Sequence, residues 1–209
     1  MQIDEHDALI VVDVQNDFCP GGALAVTDGD AVIEAIHRIA PRFEHIVLTQ
    51  DWHPRGHSSF ATTHPGKEPY QQVELSYGQQ TLWPPHCIQG SRGAEFHPAL
   101  HLSRAELILR KGFDPRVDSY SAFFENDRVT PTGLAGYLEE RNLTRVFFAG
   151  LAYDFCVGYS ALDARRLGLP AFVLRDACRA IDLNDSTKKI EAEFARSGVS
   201  VIESGTLLG

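Results

Sequence analysis

Three side chains of this sequence could together perform nucleophilic chemistry, and they are Asp13, Lys111 and Cys156. Asp13 and Lys111 stand where short apolar segments end, and Cys156 begins the helix that follows a third such segment. A carboxylate, an ammonium group and a thiol in one place can act as base, cation and nucleophile. A cysteine at the start of a helix also gains from the helix dipole, which lowers the thiol pKa. The alternative is that Cys156 is a buried apolar residue, the commonest fate of a lone cysteine.

A second group of residues could bind a metal ion. Asp51 and His53 are two positions apart, which places them on the same side of an extended segment. A third ligand is needed, and His57 and His86 are both candidates. One carboxylate and two imidazoles, with open positions filled by water, suit Zn²⁺, Fe²⁺ or Mn²⁺. The alternative is that these histidines are solvated loop residues.

Strands and helices alternate in the sequence and would position these side chains. Apolar runs predict strands at 8–12, 45–49, 107–109, 145–149, 171–174 and 199–202. Capping residues and apolar periodicity predict helices at 28–39, from Thr130 onward, at 155–167 and at 184–197. This alternation indicates an α/β fold with a mainly parallel six-stranded sheet and helices on both faces. Ligands bind such sheets at the carboxyl ends of the strands, where the chemical residues lie.

Residues 1–209 are predicted to form one domain, because no Gly-, Ser- or Pro-rich linker divides them. One stretch, about 51–105, breaks the alternation and carries most of the histidines and both tryptophans. Long irregular insertions in compact domains are usually functional. We therefore expect this insertion to contribute to metal and substrate binding.

Composition excludes several classes of protein. The 209 residues include 19 Lys and Arg against 28 Asp and Glu, a net charge of −9, and 44% are hydrophobic. An acidic chain without a basic cluster or a long apolar run is not expected to bind nucleic acid or membranes. The acidic N-terminus is unlike a signal peptide, so a cytoplasmic location with four reduced cysteines is expected.

Six segments, in order along nearly the whole chain, resemble motifs of the nicotinamidases, a group within the isochorismatase-like hydrolases. The segments are 13–18, 50–60, 83–87, 111–112, 118–123 and 150–157. The resemblance implies an isochorismatase-like fold. It also implies that Cys156 is the nucleophile, that Asp13 is its base and that Lys111 holds the thiolate. The backbone N–H groups of Ala152 and Cys156 would form the oxyanion hole, after a cis peptide bond between Leu151 and Ala152.

The same resemblance assigns binding residues. It implies that Asp51, His53 and His86 hold one divalent ion, for which Zn²⁺ is favoured and Fe²⁺ and Mn²⁺ are alternatives. His57 would be a further direct ligand or would act through a water molecule. Aromatic walls for a substrate ring would come from Phe18, Trp83 and Tyr120. Two residues depart from the motif: Tyr153 stands where Thr is frequent, and Phe155 where Tyr is common.

The implied activity is hydrolysis of nicotinamide to nicotinate and ammonia in NAD salvage, through a cysteine thioester, with pyrazinamide as a further substrate. A related amidase acting on another small amide or carbamoyl compound is the alternative. A non-enzymatic metal-binding protein is a third hypothesis, and it requires Cys156 to be inert. An exposed apolar helix face would favour a homo-oligomer.

Overall fold

The computed structural model describes residues 1–208, and its centre is a parallel six-stranded sheet. The strands of this sheet are β1 (Asp7–Val12), β2 (His45–Asp51), β5 (Leu107–Lys111), β6 (Arg145–Leu151), β7 (Ala171–Arg179) and β8 (Ser200–Ile202). Their order across the sheet is β5-β2-β1-β6-β7-β8, and every pairing is parallel. The predicted α/β fold with a parallel six-stranded sheet is therefore confirmed.

Helices cover both faces of the sheet. They are α1 (Val32–Ile39), α2 (Leu134–Glu140), α3 (Gly158–Arg166) and α4 (Ser186–Ser197). The α1 helix packs with Leu9 and Val11 of β1 on one face, and the other three helices pack with Ala8 and Ile10 on the opposite face. Because β1 is covered on both sides, all its residues are buried, which explains its continuous apolar run.

The order of the strands places the predicted chemical residues side by side. Strands β5, β2, β1 and β6 are consecutive neighbours in the sheet and run in the same direction. Their carboxyl ends therefore meet at one edge, and that edge receives Lys111, Asp51, Asp13 and the segment leading to Cys156. This edge is where a parallel sheet binds its ligands.

Two local predictions need correction. The helix expected from Thr130 begins only at Leu134, because Phe124 and Pro131 form an antiparallel bridge that keeps the preceding segment as a loop. The insertion was expected to be irregular, yet it contains an antiparallel hairpin of β3 (Gln72–Leu75) and β4 (Gly78–Thr81). That residues 1–209 form a single domain stays a prediction. Among the described residues, no helix is both long and apolar enough to span a bilayer.

Candidate active site

A buried lysine is the centre of the site. Lys111 ends edge strand β5 and has no solvent exposure. Its Nζ lies 2.8 Å from Asp13 Oδ2 and 2.7 Å from Asp51 Oδ1. Burial alone would lower the pKa of Lys111, but the Asp13 and Asp51 carboxylates outweigh burial and raise it well above its ordinary value. The ammonium group is therefore permanently charged, and it donates further to the Ser119 carbonyl at 2.9 Å.

The candidate nucleophile, Cys156, also contacts Lys111. Cys156 Sγ lies 3.4 Å from Lys111 Nζ, which is within hydrogen-bonding distance for sulfur. The cysteine is held in a single π-turn, Tyr153–Val157, directly before α3. Sequence reasoning expected a lowered thiol pKa at this helix start. Instead burial raises the pKa of Cys156 well above its ordinary value, although the Lys111 charge opposes this effect. In the metal-free site the thiol form is therefore favoured, and attack by sulfur requires a base.

Asp13 is placed to be that base. It follows β1 with a positive φ of 47°, and its side chain is fully buried. Thr49 Oγ1 donates to Asp13 Oδ1 at 2.6 Å, and Oδ2 faces the Lys111 ammonium. Burial raises the pKa of Asp13, and the charge of Lys111 only partly opposes it. A carboxylate with a raised pKa suits a group that must both accept and return a proton.

The backbone next to the nucleophile has the conformation that the resemblance implied. The peptide bond between Leu151 and Ala152 is cis. The Ala152 carbonyl accepts hydrogen bonds from Phe155 N and Val157 N, both at 3.1 Å, and these bonds shape the turn that carries Cys156. The use of the Ala152 and Cys156 N–H groups as an oxyanion hole stays a prediction.

The predicted metal ligands converge on one buried point. His53 Nε2 lies 3.0 Å and His86 Nε2 lies 3.4 Å from Asp51 Oδ2. The other nitrogens, His53 Nδ1 and His86 Nδ1, contact the carbonyls of Gly112 and Pro84, each at 2.8 Å. Backbone contacts of this kind orient both Nε2 atoms toward a common point, where a bound cation would take their lone pairs.

These three residues fit a divalent cation. One carboxylate and two imidazoles, all buried and with donor atoms within 4.8 Å of one another, match the donor set of catalytic zinc sites. Burial alone would raise the pKa of Asp51, but the charges of His53 and Lys111 outweigh burial and hold it well below its usual value. The neighbouring Gly112 is needed for space, since a Cβ there would lie 2.4 Å from the His53 ring.

His57 lies beside this group rather than in it. Its ring packs on His53 with centroids 4.2 Å apart. Its Nδ1 contacts Ser59 Oγ at 2.7 Å, and its ring forms a second group of potential ligands with His53 and Asp118. His57 therefore supports the orientation of His53, and its action as a direct ligand stays a prediction.

A small cavity connects the thiol with the metal-ligand group. It is lined by residues that include Phe18, Trp83, His86, Tyr120, Phe155 and Cys156. Trp83 and Phe155 meet edge to face at 5.0 Å, and Tyr120 and Phe155 do so at 5.5 Å. The cavity is thus walled by aromatic faces and edges, which suits a flat ring with its reactive group toward Cys156.

Several contributors were not found from the sequence. Phe155 was noted only as a departure from the motif, yet its ring completes the aromatic wall. Thr49, two residues before Asp51 on β2, could have been found because alternate residues of a strand share a side. Tyr153 points away from the site and packs on Phe194, with ring centroids 5.8 Å apart.

The other three cysteines, Cys19, Cys87 and Cys178, are free and buried like Cys156. Burial raises the pKa of Cys19 to about 11 and that of Cys178 to about 12. The protonated form of both thiols is therefore favoured at neutral pH. That the three cysteines are bystanders stays a prediction.

Comparison with known proteins identifies the family. The isochorismatase domain model matches residues 7–204. The chain belongs to the isochorismatase domain family. It is 54% identical over 201 residues to a nicotinamidase of Acinetobacter baylyi, covering 96% of this chain and 94% of the relative.

Solved structures of the isochorismatase family show the same fold. The PnC1 protein of L. infantum, in complex with nicotinate, has a TM-score of 0.86 at 40% identity and covers 99% of this chain and 98% of its own. A pyrazinamidase of Pyrococcus horikoshii, in complex with zinc, has a TM-score of 0.75 at 34% identity, with coverages of 95% and 99%. The family resemblance drawn from the six motifs is therefore confirmed.

Proposed function

We propose that this protein is a metal-containing cysteine amidohydrolase that converts nicotinamide to nicotinate and ammonia. The observation that carries the proposal is the position of Lys111, whose ammonium group contacts Asp13, Asp51 and Cys156 at once. This contact joins a nucleophile and base to a metal-ligand group across one aromatic cavity. Relatives named nicotinamidase and a nicotinate complex in the family support the substrate.

The first half of the reaction forms a thioester. Cys156 Sγ attacks the amide carbon while its proton passes to Asp13, and Lys111 stabilises the developing negative charge. The oxyanion accepts hydrogen bonds from the N–H groups of Ala152 and Cys156, where one such donor is typically worth about 3 kcal/mol. Asp13 then gives its proton to the departing nitrogen, and ammonia leaves.

The second half hydrolyses the thioester. Asp13 takes a proton from water, whose oxygen attacks the thioester carbon, and the collapse of this intermediate releases nicotinic acid and the Cys156 thiolate. The acid ionises to nicotinate by losing its proton to ammonia or to solvent. Asp13 returns the proton to the thiolate, which restores the resting state. Asp13 thus alternates between base and acid through the cycle, a role that the raised pKa of its buried carboxyl suits.

Asp51, His53 and His86 would hold one divalent ion, and we propose zinc, which the P. horikoshii relative contains. That ion would supply a Lewis acid for the pyridine nitrogen of the substrate. Phe18, Trp83 and Tyr120 would orient the ring so that its amide reaches Cys156. Pyrazinamide has a ring of the same shape and is proposed as a second substrate.

The test is ammonia release from nicotinamide by the wild type and by Cys156→Ala, after metal analysis of both. We expect turnover by the wild type and none by the variant, with an unchanged circular dichroism spectrum. Cys178→Ala is the matched control, since it removes a buried thiol that lies outside the site, and it should retain turnover. Substantial turnover by Cys156→Ala would refute the covalent mechanism.

A further inference from the structure

The hairpin in the insertion sends one polar side chain into the interior behind the aromatic cavity. Gln80 lies on β4 and is only 1% exposed, whereas its neighbour Gln79 is exposed. Neither the expected motifs nor the proposed reaction assigns a role to Gln80. A buried amide must have hydrogen-bond partners, and those of Gln80 indicate what it does.

The Gln80 amide nitrogen donates toward the pocket. Nε2 lies 3.0 Å from the Tyr120 hydroxyl, 2.8 Å from Asp118 Oδ2 and 2.7 Å from the Thr81 carbonyl. Its two hydrogens are thus shared among three acceptors. The Tyr120 oxygen also accepts from Trp83 Nε1 at 3.1 Å. Two of the proposed ring walls therefore meet at one oxygen that Gln80 holds in place.

The other end of the Gln80 amide is equally fixed. Oε1 accepts from Tyr77 and from Asn126 Nδ2, both at 3.1 Å. These contacts determine which way the amide faces, since exchanging its oxygen and nitrogen would oppose donor to donor. The amide is therefore a fixed link between the hairpin and the wall of the cavity.

We propose that Gln80 is a positioning residue that sets ring selectivity by fixing the Tyr120 and Trp83 side of the cavity. The inference rests on the proposed nicotinamide hydrolysis. A rigid aromatic wall admits a flat unsubstituted ring and excludes a bulkier one, because side chains that cannot move cannot make room. Gln80 touches none of the reacting groups, so its effect should fall on substrate binding and selectivity.

Gln80→Met tests this, because methionine has a similar volume and no hydrogen-bonding amide. We expect KM for nicotinamide to rise on the order of tenfold with kcat changed less than about threefold, the effect of losing a buried hydrogen bond that positions the substrate. The preference for nicotinamide over 5-methylnicotinamide, as a ratio of kcat/KM values, should fall. Gln79→Met is the matched control and should leave both quantities unchanged. Wild-type KM and selectivity in Gln80→Met would overturn the inference.

A second variant covers the case in which Gln80→Met fails to fold. Tyr120→Phe removes the acceptor hydroxyl but keeps the ring, and we expect a similar rise in KM. In the double variant the rise in KM should be smaller than the two single effects combined, because both substitutions remove the same contact. An unchanged KM in Tyr120→Phe, or full additivity in the double variant, would overturn the inference.

A spectroscopic readout separates failure of this inference from failure of the proposed function. In a Trp52→Phe background Trp83 is the remaining tryptophan, and its Nε1 bonds the oxygen that Gln80 holds. Gln80→Met should shift the Trp83 emission, and Gln79→Met should not. A wild type inactive on nicotinamide would refute the proposed function, and the emission would still decide whether Gln80 positions the wall. Identical emission in both variants would overturn the inference.

Discussion

Replacing Lys111 by methionine should destabilise the protein strongly. Lys111 is fully buried between the Asp13 and Asp51 carboxylates, at 2.8 and 2.7 Å. Removal of one partner from a buried ion pair typically costs about 3–5 kcal/mol, because it leaves an uncompensated charge in the interior. Two carboxylates share this lysine, so we expect Lys111→Met to lose about 4 kcal/mol of unfolding free energy.

The double variant Lys111→Met/Asp13→Asn should regain part of that loss. The amide introduced by Asp13→Asn carries no charge, so one of the two uncompensated carboxylates disappears, and we expect about 2 kcal/mol to return. Activity should stay absent, because the base is also missing. The double variant would therefore be more stable than Lys111→Met, although both would be inactive.

The assay is urea unfolding followed by circular dichroism, on metal-free protein at pH 7.5. Lys188→Met, at an exposed position on α4, is the control and should change the unfolding free energy by less than about 0.5 kcal/mol. Loss of Lys111 raises the pKa of Asp13 further, so protonation in the folded state should make the defect smaller at pH 5 than at pH 8. A Lys111→Met defect below about 1 kcal/mol, or no recovery in the double variant, would contradict this interpretation of the buried cluster.

Three further predictions concern titration and metal binding. Thr49→Val removes the hydrogen bond from Thr49 to Asp13, which stabilises the ionised carboxylate. The acid limb of the pH profile of kcat/KM should therefore move upward by about one pH unit, and an unmoved limb would count against Asp13 as base. Burial raises the pKa of Glu125 to about 7, above its ordinary 4.5, so its contribution to stability is lost as pH rises between these values. The unfolding free energy of Glu125→Gln, measured with urea, should therefore exceed that of the wild type by about 1–2 kcal/mol at pH 8 and match it at pH 4, and equal stabilities at both pH values would refute the assignment. Chelation should raise KM more than it lowers kcat, with recovery on adding zinc, and full activity after verified metal removal would exclude a role for the metal in substrate binding.

The sequence was sufficient to predict the sheet and its functional edge, for a specific physical reason. Residues 8–12 of β1 form a continuous apolar run, as expected of a parallel strand buried on both faces, and the polar Asp13 follows at its carboxyl end. Asp13, Asp51 and Lys111 could therefore be predicted at one edge before their contacts were known. The order of the strands then made these residues neighbours.

Other features depend on contacts that leave no periodic signal. The β3–β4 hairpin is short and largely polar, and Gln80 is buried only because loop residues distant in sequence, such as Asp118 and Tyr120, close over it. The predicted shift of the Cys156 pKa was wrong in direction, because the prediction considered the helix start and not the burial of the thiol. Burial and long-range partners are set by the assembled fold, so local sequence patterns cannot reveal them.

The charges of the site show why a nucleophile and a metal site share one lysine. The Asp13 and Asp51 carboxylates on either side of Lys111 both raise the pKa of the Cys156 thiol, and the single Lys111 charge opposes them. A divalent cation on Asp51, His53 and His86 would add positive charge on the side of Lys111. The Asp51 carboxylate divides its oxygens between the two centres, with Oδ1 on Lys111 and Oδ2 near the imidazoles. Metal occupancy should therefore favour ionisation of the thiol as well as the binding of the ring.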